Sequence, residues 1–378
     1  MKFKVDRASL LTHLNHVSKA LAVRTPLPIL TCIKCKASEN GLLLVASDSD
    51  ITVQTFLPME LNETKVLQVT EVGEIALPGK YFIELIKKST KDTLEITSDE
   101  KFQVVIKNGR SKYKLNGFDT VNYPNIELIE SDHKIRLSQK RLKEIIQQTV
   151  FSTSTNLSRP VLTGVLFDFQ GGLLKCVATD SFRLSECLTP LNQQINPIKV
   201  VIPKKPLVEL NKLLIDSEDT IDVMIQRNQI AFQFEQMILQ TRLLDGIYPE
   251  TKEFVPQTYS TEIGIETSEL YEAIDRASLM AKDQVSNVIK LRSYPEEQKL
   301  VIIASSPEIG EIEEEVDVNH IQGGAMEIAC SSVYLLEALK AFESDEIVMG
   351  YNGTMRPLVI FDAEDDKMLQ LIVPVRVE

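Results

Sequence analysis

The 378-residue sequence has no tryptophan, four histidines, five cysteines and only 6% aromatic residues. Cys32 and Cys35 have CxxC spacing, but no second pair and no nearby histidine completes a zinc tetrahedron. All five thiols (Cys32, Cys35, Cys176, Cys187 and Cys330) are therefore expected in the core of a protein from a reducing compartment. Glycine (15) and proline (16) are scarce, which excludes collagen-like and long low-complexity segments. No apolar run approaches the ~18 residues that span a bilayer. The opening MKFKVDRASLL carries Lys2, Lys4, Asp6 and Arg7 where a signal peptide needs an apolar stretch. No membrane contact and a cytoplasmic location are expected. Also missing are GxxxxGK[ST], GxGxxG, HExxH and GxSxG, so no nucleotide cradle, zinc-protease helix or nucleophile elbow is in view.

What is present is an ordinary globular balance, 43% hydrophobic and 25% charged, in a chain long enough for two to four domains. It is also a repeat, with a period of about 128 residues. FKVDRASLLTHLNHV from Phe3, IRLSQKRLKEIIQQT from Ile135 and IGIETSELYEAIDRA from Ile263 align. Leu10, Leu142 and Leu270 then share one column, and Leu14, Ile146 and Ile274 share the next, one helical turn later. A second helix recurs from Ala76, Val201 and Ala329, with Glu84, Glu209 and Glu337 in one column. Between the helices come the turns LVASDSD, CVATDSF and IIASSPE; NYP ending at Pro124 and IYP ending at Pro249 close the first two units. Alternating runs such as FQVVI and IAFQF predict short, hairpin-linked strands. The expected class is α+β: three copies of one domain, each with two helices on antiparallel sheet, at residues 1–127, 128–252 and 253–378.

Net charge is −13, which on average disfavours an anionic partner. Located by helix, the charges read differently. Residues 7–24 and 78–91 each carry +3, 138–149 and 203–215 each +2, and 268–282 and 331–343 each −1. The helices total +8 and the rest −21. Cations on one helix are ordinarily a solvated face; four basic helices at repeated positions predict a surface for a polyanion. Without aromatic platforms, duplex phosphate suits it better than single-stranded bases. For metal chemistry, Asp48, Asp50 and Asp180 offer carboxylates, but within repeated turns where such residues normally cap the backbone. His13 and His16 lack a third ligand. No metal or cofactor is expected, and no catalysis.

The triplicated unit, together with RTPLPIL (24–30), SRPVLTGV (158–165), VATDSFRLS (177–185), LLDGIYPET (243–251), SPEIGEIEEEVD (306–317) and IVPVR (372–376), resembles the bacterial DNA polymerase III beta subunit family of replication sliding clamps, in its Gram-positive form. The resemblance runs the length of the chain. It implies a head-to-tail homodimer whose six domains close into a ring around duplex DNA, with helices lining the hole and sheets outside. A ring holds DNA topologically, so its contacts can be weak and sequence-blind, and a tethered polymerase gains effective concentration.

By the same resemblance, DNA contacts fall on Arg24, Lys80, Asn156 and Lys205. A pocket for short partner peptides falls on Leu162, Thr179, Phe182, Arg183, Leu184, Pro249, Ile372, Val373, Pro374, Val375 and Arg376. Its implied users are the replicative DNA polymerase alpha subunit, the clamp loader, repair polymerases and ligase, in the cytoplasm at the nucleoid. The chain departs from the family where Phe182 replaces a usual histidine and where Pro160-Val161 replaces a tyrosine pair of some members. Three other readings remain open at this point: a divergent second clamp with altered partners, a triplicated peptide-binding scaffold that never meets DNA, and a metal-dependent hydrolase using Asp48, Asp50 and Asp180.

Overall fold

The computed structural model describes residues 1–124, 129, 134–281, 287–365 and 367–376. The expected boundary at 127/128 lies outside the described residues, as does Lys282. Each repeat supplies two helices: α1 (Arg7–Val17) and α2 (Gly79–Lys88), α3 (Gln139–Thr149) and α4 (Lys204–Asn211), α5 (Thr267–Ala281) and α6 (Ser332–Leu339). All described strand ladders are antiparallel.

Local chemistry starts and stops these helices. Asp6 caps α1 by accepting from Ser9 N at 2.8 Å. Leu10, Leu14 and Val17 are fully buried, and the helix ends with that stripe, where Ser18 Oγ donates to Asn15 O at 2.6 Å. This corrects the expectation of a helix over 7–24: Lys19 lies in a 3₁₀ turn and Arg24 in a loop beyond it. Helix α2 turns Phe82 and Ile86 inward, and Gly79 lets the Leu21 side chain pack close, since a Cβ there would sit 2.6 Å from it and push it aside. The observed helices carry +1, +2, +2, +1, −2 and −1 in chain order. Their sum is +3 rather than +8, because Lys19, Arg24, Lys91 and Lys212 lie beyond the helix ends and Lys282 lies outside the described residues, while Lys340 and Glu343, both past the end of α6, cancel. The contrast between a basic first two-thirds and an acidic last third survives.

The chain forms two compact units, residues 1–140 with 209–243, and residues 141–208 with 244–378. They cut across the repeats because sheets do. In the first unit, Met237–Arg242 of the second repeat pairs with Ile51–Pro58 of the first, joining their strands into one eight-stranded sheet. In the second, Arg183–Pro203 of the second repeat pairs with Met368–Ile372 of the third within a seven-stranded sheet. Gly164–Thr179 and Arg183–Pro203, 16 and 21 residues long, overturn the expectation of uniformly short strands; register breaks around Gly171 let them bend.

The first unit also holds a five-stranded sheet ending in Ser111–Asn116, and the second a four-stranded sheet ending in Gly310–Asp317. The main core of the second unit packs Leu270, Ile274, Ala277, Leu335 and Leu339 of α5 and α6 against Ile289, Ile302, Ile347 and Ile360 from the sheets. Among the described residues, no helix is long and apolar enough to cross a membrane.

Candidate functional site

In the second unit, SRPVLTGV folds as a 3₁₀ turn, Pro160–Thr163, whose Thr163 Oγ1 donates to Pro160 O at 2.7 Å. Proline fixes the first φ, and the turn points Leu162 into an apolar cluster with Leu184, Val177, Tyr248, Val359 and Leu371, flanked by Val161 and Val373. ATDSFRL makes a tight turn between the two long strands. Asp180 Oδ1 accepts from Phe182 N at 2.9 Å and Arg183 N at 3.0 Å, Thr179 Oγ1 accepts from Ser181 N at 3.1 Å, and Ser181 is left-handed at φ 80°. Thr179 N donates to Tyr248 Oη at 3.0 Å, tying the IYP segment to the turn. The turn leaves the Phe182 ring 60% exposed.

This ring, Leu162 and Arg183 border a cavity of about 800 Å³, completed by Phe151, the 153–156 segment, Arg159, Lys204, Tyr334 and Glu337. An exposed aromatic beside an aliphatic wall suits an apolar anchor. The C-terminal segment runs alongside: Val373 N donates to Phe182 O at 2.9 Å and Val375 N to Ala329 O at 2.8 Å. Ile372 is buried opposite Arg183 and belongs to the main core of the second unit, while its neighbour Leu371 packs in the Leu162 cluster. Pro374 and Val375 are half-buried, and Pro249 and Arg376 exposed. Arg183 ties three segments of this unit: its guanidinium donates to Asp180 Oδ2 at 3.0 Å, to Phe151 O at 2.7 Å and to Glu337 Oε2.

Of the expected DNA contacts, Arg24 and Lys80 are exposed in the first unit, in a loop and on the first turn of α2. Asn156 and Lys205 are exposed in the second; Asn156 borders the cavity and shapes its own loop by accepting from Ser158 N at 2.9 Å.

With this geometry in place, the comparisons decide the family. In chain order, the sequence matches the N-terminal, central and C-terminal domains of the DNA polymerase III beta subunit over residues 1–127, 136–250 and 252–376. The chain belongs to the DNA polymerase III beta subunit family. The beta sliding clamp of Staphylococcus epidermidis is 41% identical over 100% of this chain and 99% of its own length. The DNA polymerase sliding clamp of Bacillus subtilis superposes with a TM-score of 0.97 at 38% identity, and the DNA polymerase III beta chain of Streptococcus pneumoniae with 0.95 at 32%. Both comparisons cover 100% of each chain.

The function is that of the family: a DNA sliding clamp that encircles duplex DNA and tethers the replicative polymerase, a processivity subunit without catalysis. The comparisons favour this over a scaffold that never meets DNA. For a beta subunit, the repeated acidic turns are structural. Asp48 Oδ1 accepts from Asp50 N at 3.0 Å and Ile51 N at 2.8 Å, with Ser49 at φ 84°, as Asp180 does around Ser181. Among the described residues no cluster of three metal-ligating side chains occurs. All five cysteines are free and buried. Cys32 and Cys35, three apart on the strand Cys32–Ser38, point to opposite sheet faces and cannot share a ligand. Burial pushes the Cys330 thiol up to about 12 and raises that of Cys35 as well.

Sequence reasoning missed Tyr248, Phe151, Tyr334 and Glu337. Tyr248 was signalled by the repeated Tyr-Pro, and Glu337 by the glutamate column of the second helix. Phe151 and Tyr334 had no signal beyond ordinary amphipathic spacing.

Proposed function

We propose that two copies of this chain join head to tail through the outer strands Ser111–Asn116 and Gly310–Asp317, closing a ring. The observation that carries this is their opposite charge. Lys112 and Lys114 share one exposed face of the first strand, next to Arg110, and Glu311 and Glu313 share one exposed face of the second. Each strand is the last in its sheet among the described residues, with backbone groups available on its outer side. Like-charged edges reject their own kind and accept each other, which suits a heterologous, ring-forming contact. The three repeats, 1–127, 128–252 and 253–378, are then the ring's domains.

Within the ring, Arg24, Lys80, Asn156 and Lys205 contact phosphates without reading sequence, while the acidic remainder discourages DNA elsewhere. Leu162, Thr179, Phe182, Arg183, Leu184, Pro249, Ile372, Val373, Pro374, Val375 and Arg376 build the site for short peptides of the replicative polymerase alpha subunit, the clamp loader, repair polymerases and ligase. The place of work is the cytoplasm, at the nucleoid. Retention of loaded protein on nicked circular DNA, measured before and after linearising the circle, tests the ring. Retention on the circle with rapid loss from free ends is expected; equal retention on both would mean surface binding and overturn topological capture.

A further inference from the structure

Capture of a partner peptide, the reading on which this inference rests, requires that Phe182 be presented in a fixed direction. The capped turn alone does not do this. The first repeat builds the same turn around Asp48 and Ser49, yet has Asp50 where the second has Phe182, and Ile51 where the second has Arg183. The turn therefore folds without a guanidinium, and Arg183 adds something specific to the repeat that carries the exposed ring.

Its side chain is 11% exposed and joins separate elements. It holds Asp180 in the turn, Phe151 O in the segment after α3, and Glu337 on α6; its plane stacks on the Tyr334 ring at 4.4 Å and lies 5.4 Å from the Phe151 ring. Glu337 is equally distinctive within its column. Glu84 pairs with Lys88 at 3.6 Å and Glu209 with Lys212 at 2.8 Å, each on or next to its own helix. Glu337 instead reaches off α6 to Arg183.

We propose that Glu337 and Tyr334 of α6 are positioning residues for partner capture, holding Arg183 so that the 179–182 turn presents Phe182 at the cavity mouth. Planar guanidinium with carboxylate and aromatic neighbours fixes direction as well as distance. Removing Glu337 leaves the turn capped by Asp180 and Arg183 held to α6 only by the Tyr334 ring, so the Phe182 ring samples more orientations and binding must restrict them.

The test is binding of the wild-type chain and variants to an immobilised DNA polymerase III alpha subunit by surface plasmon resonance. Phe182→Ala is expected to weaken binding by about 10–100-fold, and Glu337→Ala by about 3–10-fold. The double variant should be no weaker than Phe182→Ala alone, since Glu337 acts through that ring. Glu337→Gln, which keeps an acceptor, should recover most of the loss at unchanged Tm. Should Glu337→Ala lower Tm, Tyr334→Leu replaces it, with the same expected dependence on Phe182. Full affinity in the α6 variants, or losses that add to that of Phe182→Ala, would overturn the positioning role. Full affinity in Phe182→Ala would overturn the pocket itself.

Discussion

His16 sits half-buried on α1, its ring 5.9 Å from that of His13, and its Nδ1 is buried without a partner among the described residues. Burial, then the nearby His13 and Lys19, lowers its pKa to about 4. In the unfolded chain it would take a proton near the ordinary value of 6.5. Between these values the unfolded state binds more protons, so this residue's contribution is complete above pH 6.5 and falls away as pH drops toward 4. Tm should therefore decline more steeply for the wild type than for His16→Gln between pH 6.5 and 5. Parallel declines would show that protonating His16 costs the fold nothing. On the same buried edge of α1, His13 Nδ1 lies 2.9 Å from Ser9 O, its own helix backbone.

Among the elements, the helix starts were legible, because Asp6 and the apolar columns at Leu10, Leu142 and Leu270 fix them locally. Helix ends were not. After Val17 no glycine or proline marks the stop; the chain tightens there into the 3₁₀ turn Ser18–Ala20, which keeps Ala20 buried, and no local residue type announces that change. The joining of repeats through Thr55 opposite Met237, or Arg183 opposite Ile372, was also illegible, since cross-strand hydrogen bonds leave no periodicity between distant segments. In the pocket, apolar walls such as Leu162 could be named from motifs, whereas the partners of Arg183 depend on how α6 meets the turn.

The charged edges permit a direct test at this scale. Lys112→Glu with Lys114→Glu in one chain, or Glu311→Lys with Glu313→Lys in another, should each yield monomers in sedimentation at concentrations where the wild type is dimeric. Mixed, the two variants should form a dimer again, because each interface of the mixed ring then opposes unlike charges. A mixture that stays monomeric would rule out this pairing of strands.

For the whole molecule, the decisive property is how a chain of net charge −13 holds a polyanion. The observed helices carry only +3, so on the reading proposed above the lining draws on cations in flanking turns, Arg24 among them, as well as on helix residues such as Lys80 and Lys205. Such contacts act by counterion release, each phosphate neutralised contributing about 0.9 to the salt dependence of binding. A ring of two chains would use the three side chains six times, so their loss should flatten the slope of log K against log salt by about 5. Arg24→Glu, Lys80→Glu and Lys205→Glu combined should therefore impair loading onto nicked circles while leaving alpha-subunit binding intact, because none of the three belongs to the Phe182 turn or the Leu162 cluster. Loading efficiency and its salt dependence, measured for wild type and triple variant side by side, separate the cases. An unchanged slope would place the DNA-facing charge elsewhere on the chain, whereas loss of alpha-subunit binding would mean that the two surfaces are not independent.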